Sequence, residues 1–490
     1  MLNHSLPVPL VVNYGGQRPL SAEDEEGALI ALQQHDRVCF IDLQASIPTL
    51  GKLFAVMDGP FPMLESLALT AQYDDDDEDN EDNDDIDNDR HNCPRLPQTF
   101  QAPNLRHLEL VRVGDVVEPQ LPLLASLSGL VTLALMGIPV SLYLPVEYLV
   151  SSLSLMPQLE HLCLQFTFYI PSDDIEGELV DSQSASRILL PSLNDFSFKG
   201  DSTYLEGLAA RICAPLLTTF SAEFLTHPSS TLPRLSELLS VAEELKFPAA
   251  SIMFSGSRVE DPSVTICMAR SEGCLDRSPE FAPFQLGFLC EMLDVQVTRA
   301  GQICNALAPM LQVVERLHLD FHGWRLNWQP EPQDEIHPTQ WHNLLRPFQN
   351  VEKLQIDARL MEDLSIALYV EDDESSTEEI LPKLSKLTRP DDVSFGDSFE
   401  RFIAARQARG QLIVKRRRLP IPYSDSEDEE EEEQENEEEE GQGQVKSNGK
   451  GKGNSDGDED ATTDRDAGLG DEDEVTTELD SDSDFDSDFE

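Results

Sequence analysis

An α/β solenoid, with one helix and one strand in each turn, is the fold that three observations in this sequence predict. The first is a recurring phrase, P-x-L-x-x-L-x-L: Pro62-Met-Leu64-Glu-Ser-Leu67-Ala-Leu69, Pro103-Asn-Leu105-Arg-His-Leu108-Glu-Leu110 and Pro157-Gln-Leu159-Glu-His-Leu162-Cys-Leu164. The second is a helix-like run that stops one or two residues before the proline, as in Tyr148–Leu155 and Tyr204–Cys213. The third is spacing: the anchors Leu108, Leu133, Leu162, Phe196 and Phe220 lie 25, 29, 34 and 24 residues apart, enough for one helix plus one strand. A unit repeated at this period leaves an apolar face that only its neighbours can cover. The expected architecture is therefore an irregular leucine-rich-repeat solenoid, or horseshoe, over residues 1–414, with a long exposed face suited to binding.

Ser21 followed by Asp24 has N-cap spacing, and Glu23–Glu26 would sit in the dipole-favoured first turn of a helix reaching about Gln34. Val38–Leu43 is β-rich and reads as the first solenoid strand. A helix near Leu50–Met57 leads into the Pro62 phrase. The alternation continues through Leu127–Leu135, Leu190–Phe198 and Ala214–Phe220, then Val314–Leu319, Val351–Ile356 and Leu381–Leu387, with a helix at Gln302–Ala308. Between Phe247 and Leu293 the phrase gives way to β-rich runs at Ser251–Phe254, Val264–Met268 and Phe284–Leu289, which suggest extra strands or a hairpin. A helix from Asp397 to Arg409, a stop at Gly410 and a last strand at Leu412–Val414 close the body.

The net charge of −58 is concentrated in two tracts. Residues 74–89 carry 12 acids and Ser424–Glu490 carry 30 acids against 4 bases, so about −20 remains for everything else. The first tract reads as an acidic disordered loop over 74–92. Low hydrophobicity and like charge make 419–490 an expected disordered tail, because such a composition cannot offset its ordering entropy. The body shows no extended basic stripe, so no nucleic acid is expected as partner, and a basic protein suits the charge better. The eight cysteines are scattered without a C-x-x-C pair and read as reduced core residues of an intracellular protein of cytoplasm and/or nucleus. No membrane partner is expected, because Pro139, Pro145 and Glu147 interrupt the longest apolar stretch, Leu130–Met156.

No G-x-S-x-G, P-loop, H-E-x-x-H or G-x-G-x-x-G occurs, so catalytic residues and cofactors are both expected to be none. His318, Asp320 and His322 would share a strand face but lack a nameable fourth ligand, so they read as solvent-facing and metal is expected to be none. Asp74–Glu78 lacks the spaced ligands and glycine turn of a calcium loop. Trp324, Trp328 and Trp341 have two readings, core packing under a long loop or an interaction hot spot. The candidate partner-binding face consists of the outward positions between strand leucines: Ala68, Glu109, Ala134, Cys163, Ser197, His318 and Gln355. Lys415-Arg416-Arg417-Arg418 has the composition of a nuclear import signal, or pairs with the acids beside it. Ser424, Ser426, Ser455, Ser481, Ser483 and Ser487 each precede an acid by three residues and are candidate phosphorylation sites.

Three segments carry a family resemblance: Leu20–Gly27 leading into His35–Val38, Pro145–Glu160, and Thr339-Gln-Trp341-His-Asn-Leu-Leu-Arg346-Pro-Phe348. Together they resemble the leucine-rich-repeat portion of F-box proteins of mushroom-forming fungi, over about residues 5–414. The resemblance implies that the repeats capture a protein substrate for a ubiquitin ligase, with a Skp1-type adaptor as partner wherever an F-box stands upstream. The box itself is missing from this sequence. Leu144-Pro-Val-Glu-Tyr-Leu149 imitates its opening but runs straight into a repeat strand, and reads as a solenoid helix. An alternative function is that of an acidic leucine-rich nuclear protein that shields histones or other basic proteins through its tail.

Overall fold

The computed structural model describes residues 8–14, 21–72, 96–97, 99–113, 122–138, 144–167, 187–225, 232–256, 263–271, 273, 275, 281–290, 292–322, 336–368, 380–389 and 397–417. The chain divides into the units Met1–Pro422 and Tyr423–Glu490, and every described residue belongs to the first. The acidic tracts at 74–92 and 419–490 lie outside the described residues.

In chain order the elements are β1 (Leu10–Tyr14), α1 (Ala22–Leu32), β2 (Val38–Ser46), α2 (Ile47–Val56), β3 (Ser66–Gln72), β4 (His107–Val111), α3 (Pro122–Ser126), β5 (Thr132–Ile138), α4 (Val146–Leu153), β6 (His161–Phe166), β7 (Ile188–Leu189) and β8 (Asp195–Gly200). They continue with α5 (Ser202–Ala209), β9 (Ile212–Cys213), β10 (Thr219–Phe224), α6 (Pro233–Val241), β11 (Ala249–Ser255), β12 (Ser263–Ala269), β13 (Phe284–Leu289), α7 (Leu293–Ala306) and α8 (Ala308–Leu311). The last are β14 (Arg316–His322), α9 (Pro338–Leu345), β15 (Lys353–Ile356), α10 (Met361–Leu368), β16 (Lys386–Arg389), α11 (Asp397–Ala408) and β17 (Val414–Arg417). Two short strands, β7 and β9, pair with each other in parallel.

The other strands form one sheet of fifteen, in the order β1-β2-β3-β4-β5-β6-β8-β10-β13-β12-β11-β14-β15-β16-β17. Pairing is parallel except where β12 runs antiparallel to both β11 and β13. The molecule is thus mixed α/β with a large, mostly parallel sheet.

Why these residues pair this way follows from the repeat phrase. Its second and third leucines are two positions apart, so on a strand they point to the same side. At the level of the second leucine the register aligns Val12, Ile41, Leu67, Leu108, Leu133, Leu162, Phe196, Phe220, Phe284, Met268, Ala250, Leu317, Leu354 and Leu387, strand beside strand. All of these are buried, and with the apolar sides of the helices they form one continuous core. The first leucine of the phrase closes a turn ahead of the strand: the Leu64, Leu105 and Leu159 amides donate to the carbonyls of Phe61, Ala102 and Met156. Helices are fixed locally. Ser21 accepts from the Asp24 amide at 3.2 Å, and Glu206 on α5 accepts from the Leu235 and Arg234 amides at 2.8 and 3.0 Å, tying α5 to the start of α6. In β5 the register slips between Leu135 and Ile138, where Gly137 has φ +67° and a Cβ would meet Arg112 Cγ at 2.7 Å.

Several boundaries depart from expectation. The first strand is β1, not Val38–Leu43; it has no leucine phrase and pairs with β2 from the sheet's edge. The predicted last strand at Leu412–Val414 begins only at Val414 and continues to Arg417, because Leu412 is 71% exposed and Ile413 turns into the core. The border expected at residue 414 therefore falls inside β17. The extra strands at 247–293 are present, and their insertion reverses chain direction for one strand. The L-P-x-E imitation lies on α4 and its approach, with Leu144, Val146 and Leu149 buried.

Removing a ring from the core row tests this account. Phe196→Ala is expected to cost about 3–5 kcal/mol in urea unfolding, while Ser197→Ala on the opposite face stays within about 0.5 kcal/mol.

Candidate functional site

The sheet's second face is read at the positions between the leucines. Followed strand by strand, the register aligns Asn13, Asp42, Ala68, Glu109, Ala134, Cys163, Ser197, Ser221, Gln285, Cys267, Ser251, His318, Gln355, Thr388 and Arg416 into a single row. All seven candidate positions, Ala68, Glu109, Ala134, Cys163, Ser197, His318 and Gln355, belong to it. At about 4.8 Å per strand the row traces a path of roughly 65 Å.

Access varies along the row. Glu109 is exposed and Ala68, Cys163, Ser197 and Gln355 are half-buried, but Ala134 and His318 are only 7% and 8% exposed, so these two do not lie open on the surface as expected. Ala134 is small and sunk between neighbours. At the centre Leu275 and Ala282 pack with Ala249, Cys267, Ala269 and Met253 into a second, minor apolar cluster on this face. Cys267 and Ser251, next to His318 in the row, are buried there. The row is therefore closed in the middle and open on two arms, from Asn13 to Ser221 except at Ala134, and from Gln355 to Arg416.

The arms differ in charge. Asp42, Glu109, Asp195 and Glu223 stand on the first, with Lys199 bonded to Glu223 at 2.9 Å across the strands. On the second, Arg316, Lys353 and Lys386 are aligned abreast one level before the main row, and Arg416 ends that row. Burial raises the Asp195 carboxyl above its usual range, with His161 opposing. The Cys163 thiol is also raised, chiefly by burial, while hydrogen bonds from Ser197 and Gln165 oppose and the charges of Asp195 and Glu109 add.

His318 is not solvent-facing. Gln355 Nε2 donates to His318 Nε2 at 2.6 Å, and Asp320 Oδ2 stands 3.2 Å from the same nitrogen. His322 ends the strand exposed. Among the described residues no group of three or more His, Cys, Asp or Glu is placed to hold a metal ion, and no helix is long and apolar enough to cross a membrane. Cys39, Cys163, Cys213, Cys267, Cys290 and Cys304 are free thiols. Trp341 is fully buried on α9 against Phe254, the core reading of that residue; Trp324 and Trp328 lie outside the described residues.

Lys415, Arg416 and Arg417 are strand residues of β17, and Lys415 Nζ bonds Glu400 of α11 at 2.5 Å. They form the end of the sheet, not a basic border beyond it, because Val414–Arg417 continue the ladder from β16. Arg418 and the candidate phosphorylation sites Ser424, Ser426, Ser455, Ser481, Ser483 and Ser487 lie outside the described residues.

A larger cavity of about 650 Å³ lies in the helix layer between α6, α7 and α9, lined by Ser236, Thr298, Gln302, Asn305, Gln340 and Asn343 among others. Among the described residues its lining includes no titratable side chain. The insertion explains its place: two additional strands, one of them antiparallel, widen the sheet by about 10 Å, close to one helix diameter.

No model of a known protein family matches this chain, and no curated protein matches its sequence.

Thiol chemistry tests the burial pattern. Burial pushes the Cys267 thiol up to about 12 and also raises Cys163. A raised pKa leaves less thiolate at pH 8, so iodoacetamide labelling followed by peptide mass spectrometry is expected to modify Cys163 more slowly than a free cysteine. Cys267 is expected to react only on unfolding.

Proposed function

We propose that this chain is a leucine-rich-repeat-type solenoid that binds a protein along its open sheet face and carries out no chemistry of its own. The supporting observation is the row of fifteen aligned positions, of which the small or polar ones provide a contact path on each of the two arms. Repeat architectures use such extended surfaces for recognition. The residues that resemble fungal F-box proteins extend the reading: the bound protein is a substrate to be presented to a ubiquitin ligase through a Skp1-type adaptor. The acidic composition of Ser424–Glu490, with 30 acids against 4 bases, supports a second reading in which the tail holds histones or other basic proteins.

Partner recovery with the tagged full-length chain separates these readings. Glu109→Arg combined with Ser197→Arg is expected to reduce recovery of a specific partner by about tenfold or more, a loss of about 1.4 kcal/mol or more, with unfolding unchanged. Ser151→Arg on the exposed side of α4 is expected to leave it unaltered. Skp1 in the same eluate supports the ligase reading. If every recovered protein is basic, insensitive to the face variants and released by moderate salt, the tail reading replaces the first.

A further inference from the structure

We infer that the cavity in the helix layer between α6, α7 and α9 is a binding site for a neutral polyhydroxylated ligand, a short oligosaccharide. Its lining comes from the helices alone, so it is separate from the sheet face and from the protein partner proposed for that face. Its volume of about 650 Å³ falls within the ~300–1,000 Å³ of small-molecule sites, which favour positions between packed helices. Both walls are fixed before any ligand arrives. On one side α7 and α9 pack backbone to backbone, since a Cβ at Gly301 would meet the Leu344 amide nitrogen at 3.2 Å. Asn305 of α7 ties the two helices further, its Nδ2 donating to the Asn343 carbonyl at 2.8 Å and to that of Gly301 at 2.6 Å. Gln340 is held in a similar way: its Nε2 donates to Thr298 Oγ1 at 2.6 Å and its Oε1 accepts from the His337 amide at 2.7 Å. On the other side the Glu206 carboxylate anchors the start of α6, where Leu232, Pro233 and Ser236 line the cavity. A preformed site loses little ordering entropy on binding.

The bonds that fix these amides also decide what remains for a ligand. Asn305 directs Nδ2 at two carbonyls and keeps Oδ1 as an acceptor. Gln302 accepts from Arg299 Nη1 at 3.0 Å through Oε1 and keeps Nε2 as a donor. The Asn343 carboxamide and the Ser236 hydroxyl have no hydrogen-bond partner among the described residues, so each offers both functions. Donors and acceptors are thus both present, and Leu232, Pro233 and Ala306 add apolar surface. A sugar has the matching combination, hydroxyls that donate and accept around its rim and C–H groups on its ring faces.

Charge and backbone chemistry narrow the ligand class. A charged ligand would leave water for a lining that holds no counter-charge, which is unfavourable. The net charge of −58 further opposes an anion. Peptides are captured by open sheet edges, apolar grooves or clustered charge. This cavity has helical walls whose backbone groups are already bonded, and carboxamides and hydroxyls where apolar anchors would sit.

The test is saturation-transfer NMR on the full-length protein with maltotriose, cellotriose and triacetylchitotriose as neutral probes, beside trigalacturonate and triserine. Transfer to at least one neutral trisaccharide is expected at millimolar concentration, and none to the two comparison compounds. Gln302→Leu with Asn343→Leu keeps the side-chain volume but removes the hydrogen-bonding groups, and is expected to weaken affinity, read by titrating the same signal, about tenfold or more. Gln407→Leu, on the exposed side of α11, is expected to leave affinity unchanged. Thermal unfolding of each variant separates misfolding from lost contact, and the single Asn343→Leu, at an exposed position, serves if the pair fails to fold. Absence of transfer to all three neutral trisaccharides overturns the inference. So does equal transfer to trigalacturonate or triserine, or affinity unchanged in the folded cavity variants.

Discussion

The row of apolar side chains from Val12 through Leu108, Phe196 and Leu317 to Leu387 is the interaction on which the rest of the fold depends. Each strand contributes one member at the same level, so every parallel pair is locked in register: a slip by one residue would turn its leucines to the opposite face. In-register pairing also aligns the intervening residues, so the second face acquires ordered rows without any further instruction. The candidate site is a by-product of core packing. Where the core row ends, at β17, the aligned position is Lys415, which bonds Glu400 of α11. A charge at that level blunts the sheet edge against further strand addition.

Much of this was legible because the repeat phrase specifies two inward side chains and one outward one at fixed spacing. That spacing alternates with the core leucines at Ala68, Glu109, Cys163, Ser197 and Gln355, which the register aligns in one row. The phrase fails where its physical cause is absent. At β1 only one neighbour is present among the described residues, so five residues of ordinary β character suffice and no leucine anchor is needed. At β11 and β12 both faces are covered, by the main core and by the cluster around Leu275, and the alternation that marks a one-sided strand disappears. The burial of His318 was illegible for the same reason, since its neighbours in the row come from the insertion and from β15.

Charge segregation along the face was equally hidden. Arg316, Lys353 and Lys386 are far apart in sequence, and two of them follow an acid directly: Glu315 precedes Arg316 and Glu352 precedes Lys353. A composition window averages Arg316 and Lys353 with the acids beside them. Only the register separates the acids from the bases and stacks the cations side by side.

The reversal of one strand at the insertion also bears on how the chain reaches this structure. From β1 to β10 each main-sheet strand meets the one before it, so order can spread by short loop closures. At Phe220 that progression stops, because its next partner is Phe284, beyond two intervening strands. β11 meanwhile pairs forward with β14, across β12, β13 and α7, and only from β14 onward does the strand-by-strand progression resume. The β10–β13 seam at Phe220–Phe284 and the β11–β14 seam at Ala250–Leu317 therefore close the two longest loops among the described strands and carry the sheet's highest contact order. Two late seams flanking the inserted strands would give the molecule built-in fault lines, along which partial unfolding exposes the phenylalanine-rich edge of β10 or β13.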